Sequence, residues 1–499
     1  MLKFVRIWLV LVGLAASLGF AQNQLVVVQG TEPQTLDLQF INAQVVVNIV
    51  DHISETLIDY DEHMTLLPRL ATSWEQLEPD VWRFHLRENV KFTNGEPFDA
   101  SQVAFSLERV MNPTSGSMRQ GQTRYIVKIE TVDDHTIDIH TNGAIPLFDQ
   151  YIASFPIVPR GYVTEVGDAE FALRPVGTGP FQLQEWVKDD HITLVRNPNF
   201  WGEAPALDSI VFRSVPDTAA RVATFLAGEA DVVTDLPPTA VPQIQSRSGL
   251  QVHSLPSMRI IFLLFNTGIE SPVQNRLVRQ ALNYAVDKEV IVDFILDGYG
   301  KVLDGQVVSQ EYWGYDPDTA AYPYDPEKAR ELLAEAGYPD GFHLRIVSPR
   351  GRYMLDAEIA QAVAGQLREI GIDTEVSTLE WGVFSDEQYS KQGGPVFLLG
   401  YLTDPDAASM LSVFRSDHPN AQHADATLDG LIDQAIAEQD ADRRRELIHE
   451  AIAYFKEDAP VIFLHQQAIL TGVSDRVSGF TIFPNGRVNV ANVSIVDGR

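Results

Sequence analysis

The residues best suited to holding a small polar ligand lie in two short stretches. Ser348-Pro349-Arg350-Gly351-Arg352-Tyr353 carries two guanidinium groups, and Thr403-Asp404-Pro405-Asp406 carries two carboxylates. Each follows an apolar run of strand character, Phe342 to Val347 and Val396 to Leu402. The second run is continuously hydrophobic, as expected for a strand covered on both faces in a parallel sheet. Both loops then fall at the carboxyl ends of strands of one sheet, where open α/β sheets bind ligands. Arg grips a carboxylate bidentately and Asp pairs an ammonium, so this crevice suits a zwitterion such as a short peptide. Each group also has a structural reading. Arg350 and Arg352 fit a solvated loop, and Asp404 before Pro405 fits a helix N-cap, because a capping carboxylate accepts free N–H groups and Pro at the first helical position has none to lose. Asp406 shares both readings. Trp381 and Tyr401, near strand ends, and the more distant Trp313 are expected as pocket walls or as core.

Motifs for covalent chemistry fail on spacing. His449-Glu450 is followed by Ala453 where a zinc peptidase needs its second His,. Gly177-Thr178-Gly179 lacks a third Gly at dinucleotide spacing and a Gly-Lys-Ser/Thr ending, and it leads into a strand, so it reads as a turn of close chain approach. No Gly-x-Ser-x-Gly elbow occurs. The chain has no cysteine, which removes thiolate metal sites, disulfides and Cys nucleophiles,. His418 and His423 are five apart and form no evident ligand pair. No catalytic residue, metal ligand or cofactor is therefore assigned.

The elements that must position these groups occupy a chain of 499 residues, 45% hydrophobic and 21% charged, of ordinary globular composition and long enough for about three domains,. A formal charge of −31 disfavours nucleic acid and anionic membranes as partners,. Lys3 and Arg6, then an apolar run from Ile7 to Ala16, then small residues at Gly19 and Ala21 form a secretory signal peptide over residues 1–21, cut after Ala21,. No Cys is present there for lipid attachment.

Further along, Leu25 to Gln29 reads as a first strand. Residues 56–174 are rich in hairpins: Val81 to Leu86 alternates, Asn94-Gly95 turns, Thr131 to His140 alternates, and Asp99 caps a helix from Ala100 to Val110. Asp217 caps a helix ended by Gly228, and Ala230 to Leu236 returns as a strand. Asp325-Pro326 opens a helix stopped at Gly337. A helix from Leu355 to Ile370 then joins two strands, Phe342 to Val347 and Ile372 to Val376, in a crossover expected to be parallel.

The blocks Trp82 to Val110, Gly177 to Gly202, Asp217 to Val233 and Asn275 to Gly298, with Val278-Arg279-Gln280-Ala281-Leu282-Asn283-Tyr284-Ala285-Val286-Asp287 at the centre of the last, resemble the peptide/nickel family of extracytoplasmic solute-binding proteins. The resemblance implies an α/β, bilobed type II periplasmic-binding-protein fold with an extra α+β domain inserted in the first lobe. By analogy, lobe I comprises residues 22–55, 175–265 and 480–499, the extra domain 56–174, and lobe II 266–479. It also implies a monomer without enzymatic activity that captures a short peptide or peptide-like solute in the periplasm and passes it to an ABC permease of the cytoplasmic membrane. Oligosaccharide or nickel chelate on the same fold is the alternative, with an extracytoplasmic hydrolase behind both. Arg352, followed by Tyr353, resembles the family's carboxylate-binding Arg. Peptide-binding members carry an amine-binding Asp between an aromatic and an Asp-Pro. Here only Leu402 and Thr403 separate Tyr401 from Asp404, so that loop is shortened, and Asp404 or Asp406 is left to substitute.

Overall fold

The computed structural model describes residues 23–41 and 43–496. The expected signal peptide lies outside the described residues. Among those described, no helix is long and apolar enough to cross a membrane.

One eleven-stranded sheet runs through both halves of the molecule. In the first half, Gln24–Gln29 lies parallel to Ser209–Ser214 and to Val232–Val233, and His191–Arg196 and Phe181–Val187 extend it antiparallel. In the second half, His343–Pro349 lies parallel to Asp373–Leu379 and to Val396–Tyr401. Two long antiparallel strands, Leu250–Phe265 and Val461–Ser474, join the halves. One end of this pair meets Val232–Val233, and the other meets Val396–Tyr401. Their register shifts between Pro256 and Ile260 and again between Ile261 and Phe262. Ser257 bridges the first break, its Oγ donating to the Gln467 carbonyl at 2.7 Å and its own carbonyl accepting from Gln466 at 2.7 Å.

The expected crossover is present: helix Asp356–Glu369 connects the parallel strands His343–Pro349 and Asp373–Leu379. Val396–Tyr401 is buried on both faces, with Phe397 and Leu399 in one apolar cluster and Val396 and Leu398 in another. It is parallel on one side only, because its other neighbour is the crossover strand Leu250–Phe265, which runs antiparallel to it. Local signals placed several helices closely. Asp99, Asp217 and Asp325 cap Ala100–Met111, Thr218–Leu226 and Pro326–Glu335 through bonds to Ser101, Ala220 and Lys328.

Residues 71–141 include a separate four-stranded antiparallel sheet, Ala71–Glu78, Val81–Leu86, Thr136–Thr141 and Ile126–Asp133. It has its own buried cluster around Phe84, Phe92 and Leu107. The alternation from Thr131 to His140 is thus two strands folded at Asp134-His135. Ala230 to Leu236 is strand only at Val232–Val233, since Asp235 takes φ 54° and Pro237-Pro238 follow. Gly177 and Gly179 meet the close approach expected of them: a Cβ on Gly177 would stand 2.1 Å from the Ile53 carbonyl oxygen.

Candidate functional site

The loop after His343–Pro349 is shaped by a residue that sequence reading passed over. The carboxylate of Asp356, buried at the start of its helix, accepts from the N–H groups of Gly351, Arg352 and Tyr353 at 3.0, 2.8 and 3.0 Å. Gly351 takes φ +71°, which its missing Cβ permits,. This fold of backbone packs the Tyr353 ring across the end of Val396–Tyr401, where the hydroxyl donates to the Gly400 carbonyl at 3.3 Å. Gly400 is required for that packing, since a Cβ there would stand 2.9 Å from the Tyr353 ring.

Arg352 is exposed and stands over two aromatic rings, 5.4 Å from the Tyr353 centroid and 5.0 Å from that of Trp381. Trp381 opens helix Trp381–Tyr389, is 41% exposed and stacks on Phe384 at 5.5 Å. The structure therefore brings Arg352, Tyr353 and Trp381 together. Arg350 is exposed on the same loop and joins none of these contacts. Tyr401 packs edge-on against Phe262 at 5.2 Å and lies 5.8 Å from Phe414, while its buried hydroxyl has no hydrogen-bond partner among the described residues. Burial raises its pKa, so it stays a neutral donor.

The two aspartates exchange the roles read from sequence. The helix after Val396–Tyr401 runs Ala407–Ser412, and its N-cap is Asp406, not Asp404. Asp406 accepts from the N–H groups of Ala408 and Ser409 at 2.9 and 3.3 Å and forms a bidentate pair with Arg444 at 2.7 and 2.8 Å. It is 0% exposed. Pro405 stands outside the helix because its carbonyl accepts from the Trp313 N–H at 2.9 Å, and Trp313 in turn lies 4.8 Å under the Arg444 guanidinium. Trp313 and Asp406 therefore brace the loop, and the Asp406 carboxylate has no acceptor capacity directed at a ligand.

Asp404 is left free by this arrangement. Among the described residues no side-chain hydrogen bond or ion pair reaches its carboxylate, and it is partly exposed though closely surrounded. Burial, with the neighbouring Asp406 charge added, pushes its pKa up to about 7, and Arg119 in the first half acts weakly the other way. Tyr60, also in the first half, is 4% exposed, and its hydroxyl has no partner among the described residues; burial and then the Asp404 charge raise its pKa. The halves meet here, since Met64 packs against both the cluster of the four-stranded sheet and that of the second half. Tyr60 and Arg119 escaped sequence reading, since neither stands in a motif or near the two loops in sequence.

The remaining ligand candidates are tied up elsewhere. His423 pairs with Asp458 at 2.6 Å and with Thr267 at 3.0 Å. His423, Asp425 and Asp458 bring possible ligand atoms within 4.8 Å of one another, yet Arg279 already supplies a cation to Asp458 at 2.6 Å. His418 accepts from the Asn420 N–H at 3.2 Å.

Residues 65–422 match the family described as bacterial extracellular solute-binding proteins, family 5 Middle. The dipeptide-binding protein of Escherichia coli (strain K12) is 29% identical over 468 residues, 86% of each chain. The glutathione-binding protein GsiB of Salmonella paratyphi A is 28% identical, with 96% of each chain covered. Among solved structures, the ABC transporter-associated periplasmic binding protein DppA from Helicobacter pylori, in complex with peptide STSA, superposes with a TM-score of 0.85 at 26% identity, covering 95% of this chain and 98% of that one.

Proposed function

The chain belongs to family 5 of the bacterial extracellular solute-binding proteins, and on that premise we propose that it serves an ABC importer in the periplasm, capturing a short peptide or peptide-like solute between two lobes and handing it to the permease. The observation that carries the peptide reading is a pair of opposite charges in the two loops that follow the neighbouring parallel strands His343–Pro349 and Val396–Tyr401. Among the described residues no carboxylate pairs with Arg352 and no cation forms an ion pair with Asp404. A zwitterionic peptide supplies both: its carboxylate pairs with the guanidinium and its ammonium with Asp404. In this reading Trp381 and Tyr401 serve as aromatic walls and the Tyr60 hydroxyl as a donor from the first half.

The relatives support this reading, since those named bind a dipeptide, glutathione and a peptide. Function is closure without chemistry: the lobes swing about the two crossover strands and enclose the solute. We place the division between lobes at the register break near Pro256–Ile260, inside the strand and short of residue 265, and we take the four-stranded sheet as the extra domain of the first lobe. The protein acts as a monomer and carries no catalytic group. A thermal-shift panel of di- to pentapeptides, oligosaccharides and nickel tests the ligand class. Peptides are expected to raise the melting temperature; a shift with sugars or nickel alone overturns the reading.

A further inference from the structure

Arg259 lies in the register break of the crossover strand, at the joint between the halves. Its Nη1 donates to the Gly400 carbonyl at a long 3.3 Å, its guanidinium sits 5.9 Å from the Tyr353 ring, and no carboxylate lies within ion-pair distance among the described residues. The other enclosed arginines of this protein have more of their donors met. Arg109, Arg279, Arg444 and Arg487 each hold a carboxylate at 2.6 to 2.7 Å, and Arg119 and Arg221, which hold none, donate to backbone carbonyls, of Leu38 and Ser154 and of Val215 and Asp235. Arg259 instead has Arg352 nearby, and burial followed by that like charge lowers its pKa, with the more weakly felt Asp235 carboxylate acting the other way. Two guanidiniums thus share the vicinity of one aromatic ring, and among the described residues most N–H donors of the enclosed one, Arg259, are unmet. Without an ion-paired anion, Arg259 bears both the cost of desolvation and the repulsion of Arg352,. A single ligand carboxylate would answer one of the two charges and leave the other.

We propose that Arg259 and Arg352 form a two-guanidinium subsite for a ligand presenting two acid groups at one end, which for a peptide means an acidic C-terminal residue. This rests on the reading of the crevice as a solute site. It adds selectivity: the α-carboxylate and the side-chain carboxylate of a terminal Glu or Asp each meet one arginine. Because Arg259 belongs to the crossover strand and Arg352 to a loop of the second half, a diacid also ties the joint to the crevice.

Isothermal titration of the full mature chain with Ala-Ala-Glu, Ala-Ala-Gln and glutarate tests this, using wild type, Arg259→Gln and Arg259→Lys. Wild type is expected to favour Ala-Ala-Glu over Ala-Ala-Gln at least tenfold. Arg259→Gln should bring that ratio to within about twofold of unity, and Arg259→Lys should restore part of it. Melting of the ligand-free Arg259→Gln variant should be unchanged or higher, since an unpaired charge is removed; a fall in melting temperature with an unchanged ratio assigns Arg259 to structure and overturns the subsite. Equal wild-type affinity for both peptides overturns the subsite and leaves the peptide reading standing. Arg259-dependent binding of glutarate without peptide binding does the reverse, and no binding by any of the three overturns both.

Discussion

At the scale of single residues, the proposed crevice rests on charges without an ion-pair partner among the described residues, and each yields a distinct test. Arg352→Ala is expected to weaken binding of a free-carboxylate peptide about tenfold or more while leaving its amidated analogue little changed, because the lost charge-assisted pair exists only in the former. Equal losses in calorimetry would move Arg352 out of the site. Asp404 has a pH signature. Its pKa stands near 7 in the folded chain against 3.8 for an ordinary Asp, so between those values the folded protein holds a proton that the unfolded chain has released,. The stability this contributes is present at low pH and is lost as pH rises from about 4 to about 7. Burial sets this value first, then the Asp406 charge, with a backbone N–H and Arg119 acting the other way and Tyr60 and Tyr312 neutral beside it. Asp404→Asn should flatten that limb of the stability curve and raise ligand-free stability at pH 8 by no more than about 4 kcal/mol. A peptide whose ammonium pairs with Asp404 should bind more tightly at pH 8 than at pH 6, while its N-acetylated form shows no such rise; parallel profiles for the two would remove Asp404 from the amine contact.

At the scale of elements, what could be read from the chain divides by range. Asp99, Asp217 and Asp325 were legible as caps because the cap, its acceptor bonds and its helix lie within a few residues of one another. The crossover around helix Asp356–Glu369 was legible because apolar periodicity is local. The Asp404-Pro405-Asp406 loop was misread for the opposite reason. What makes Asp406 the cap is Arg444, 38 residues on, and the Trp313 backbone that holds Pro405 outside the helix. Arg259 and Tyr60 were invisible for the same cause, since strand residues acquire a site only when distant strands are registered beside them. The Asp406 assignment carries its own prediction. Asp406→Ala removes the one oxygen that accepts from two N-terminal N–H groups and strands a buried guanidinium, a loss of about 3–5 kcal/mol. Asp406→Asn keeps the cap and should fall between. Urea unfolding measures both, and a loss near 1 kcal/mol for Ala, the size of a cap alone, would mean that Arg444 finds another partner.

At the scale of the whole molecule, the sheet itself constrains how two halves can close on a ligand. A sheet continuous across both halves resists bending wherever its ladder is regular, so motion concentrates where the pairing slips. That place is Pro256 to Ile260 opposite Ala468 and Gln466, where Ser257 supplies bonds the ladder omits. Met258 adds a further tie there, its N–H donating to the Pro484 carbonyl at 2.8 Å. If closure turns on this joint, ligand at a hundredfold excess over Kd stabilises the folded chain by about 2.7 kcal/mol, and the gain is felt unevenly. Hydrogen exchange should slow most in peptides covering residues 254–262 and 463–470 and in the loops 350–353 and 401–406, with the outer strands Phe181–Val187 and Asp373–Leu379 little affected. Small-angle scattering on the same samples should report a smaller radius of gyration with ligand. Contraction without protection at the joint would locate the hinge elsewhere, whereas protection of the two loops without contraction would mean a rigid crevice that binds its solute with the lobes already at rest.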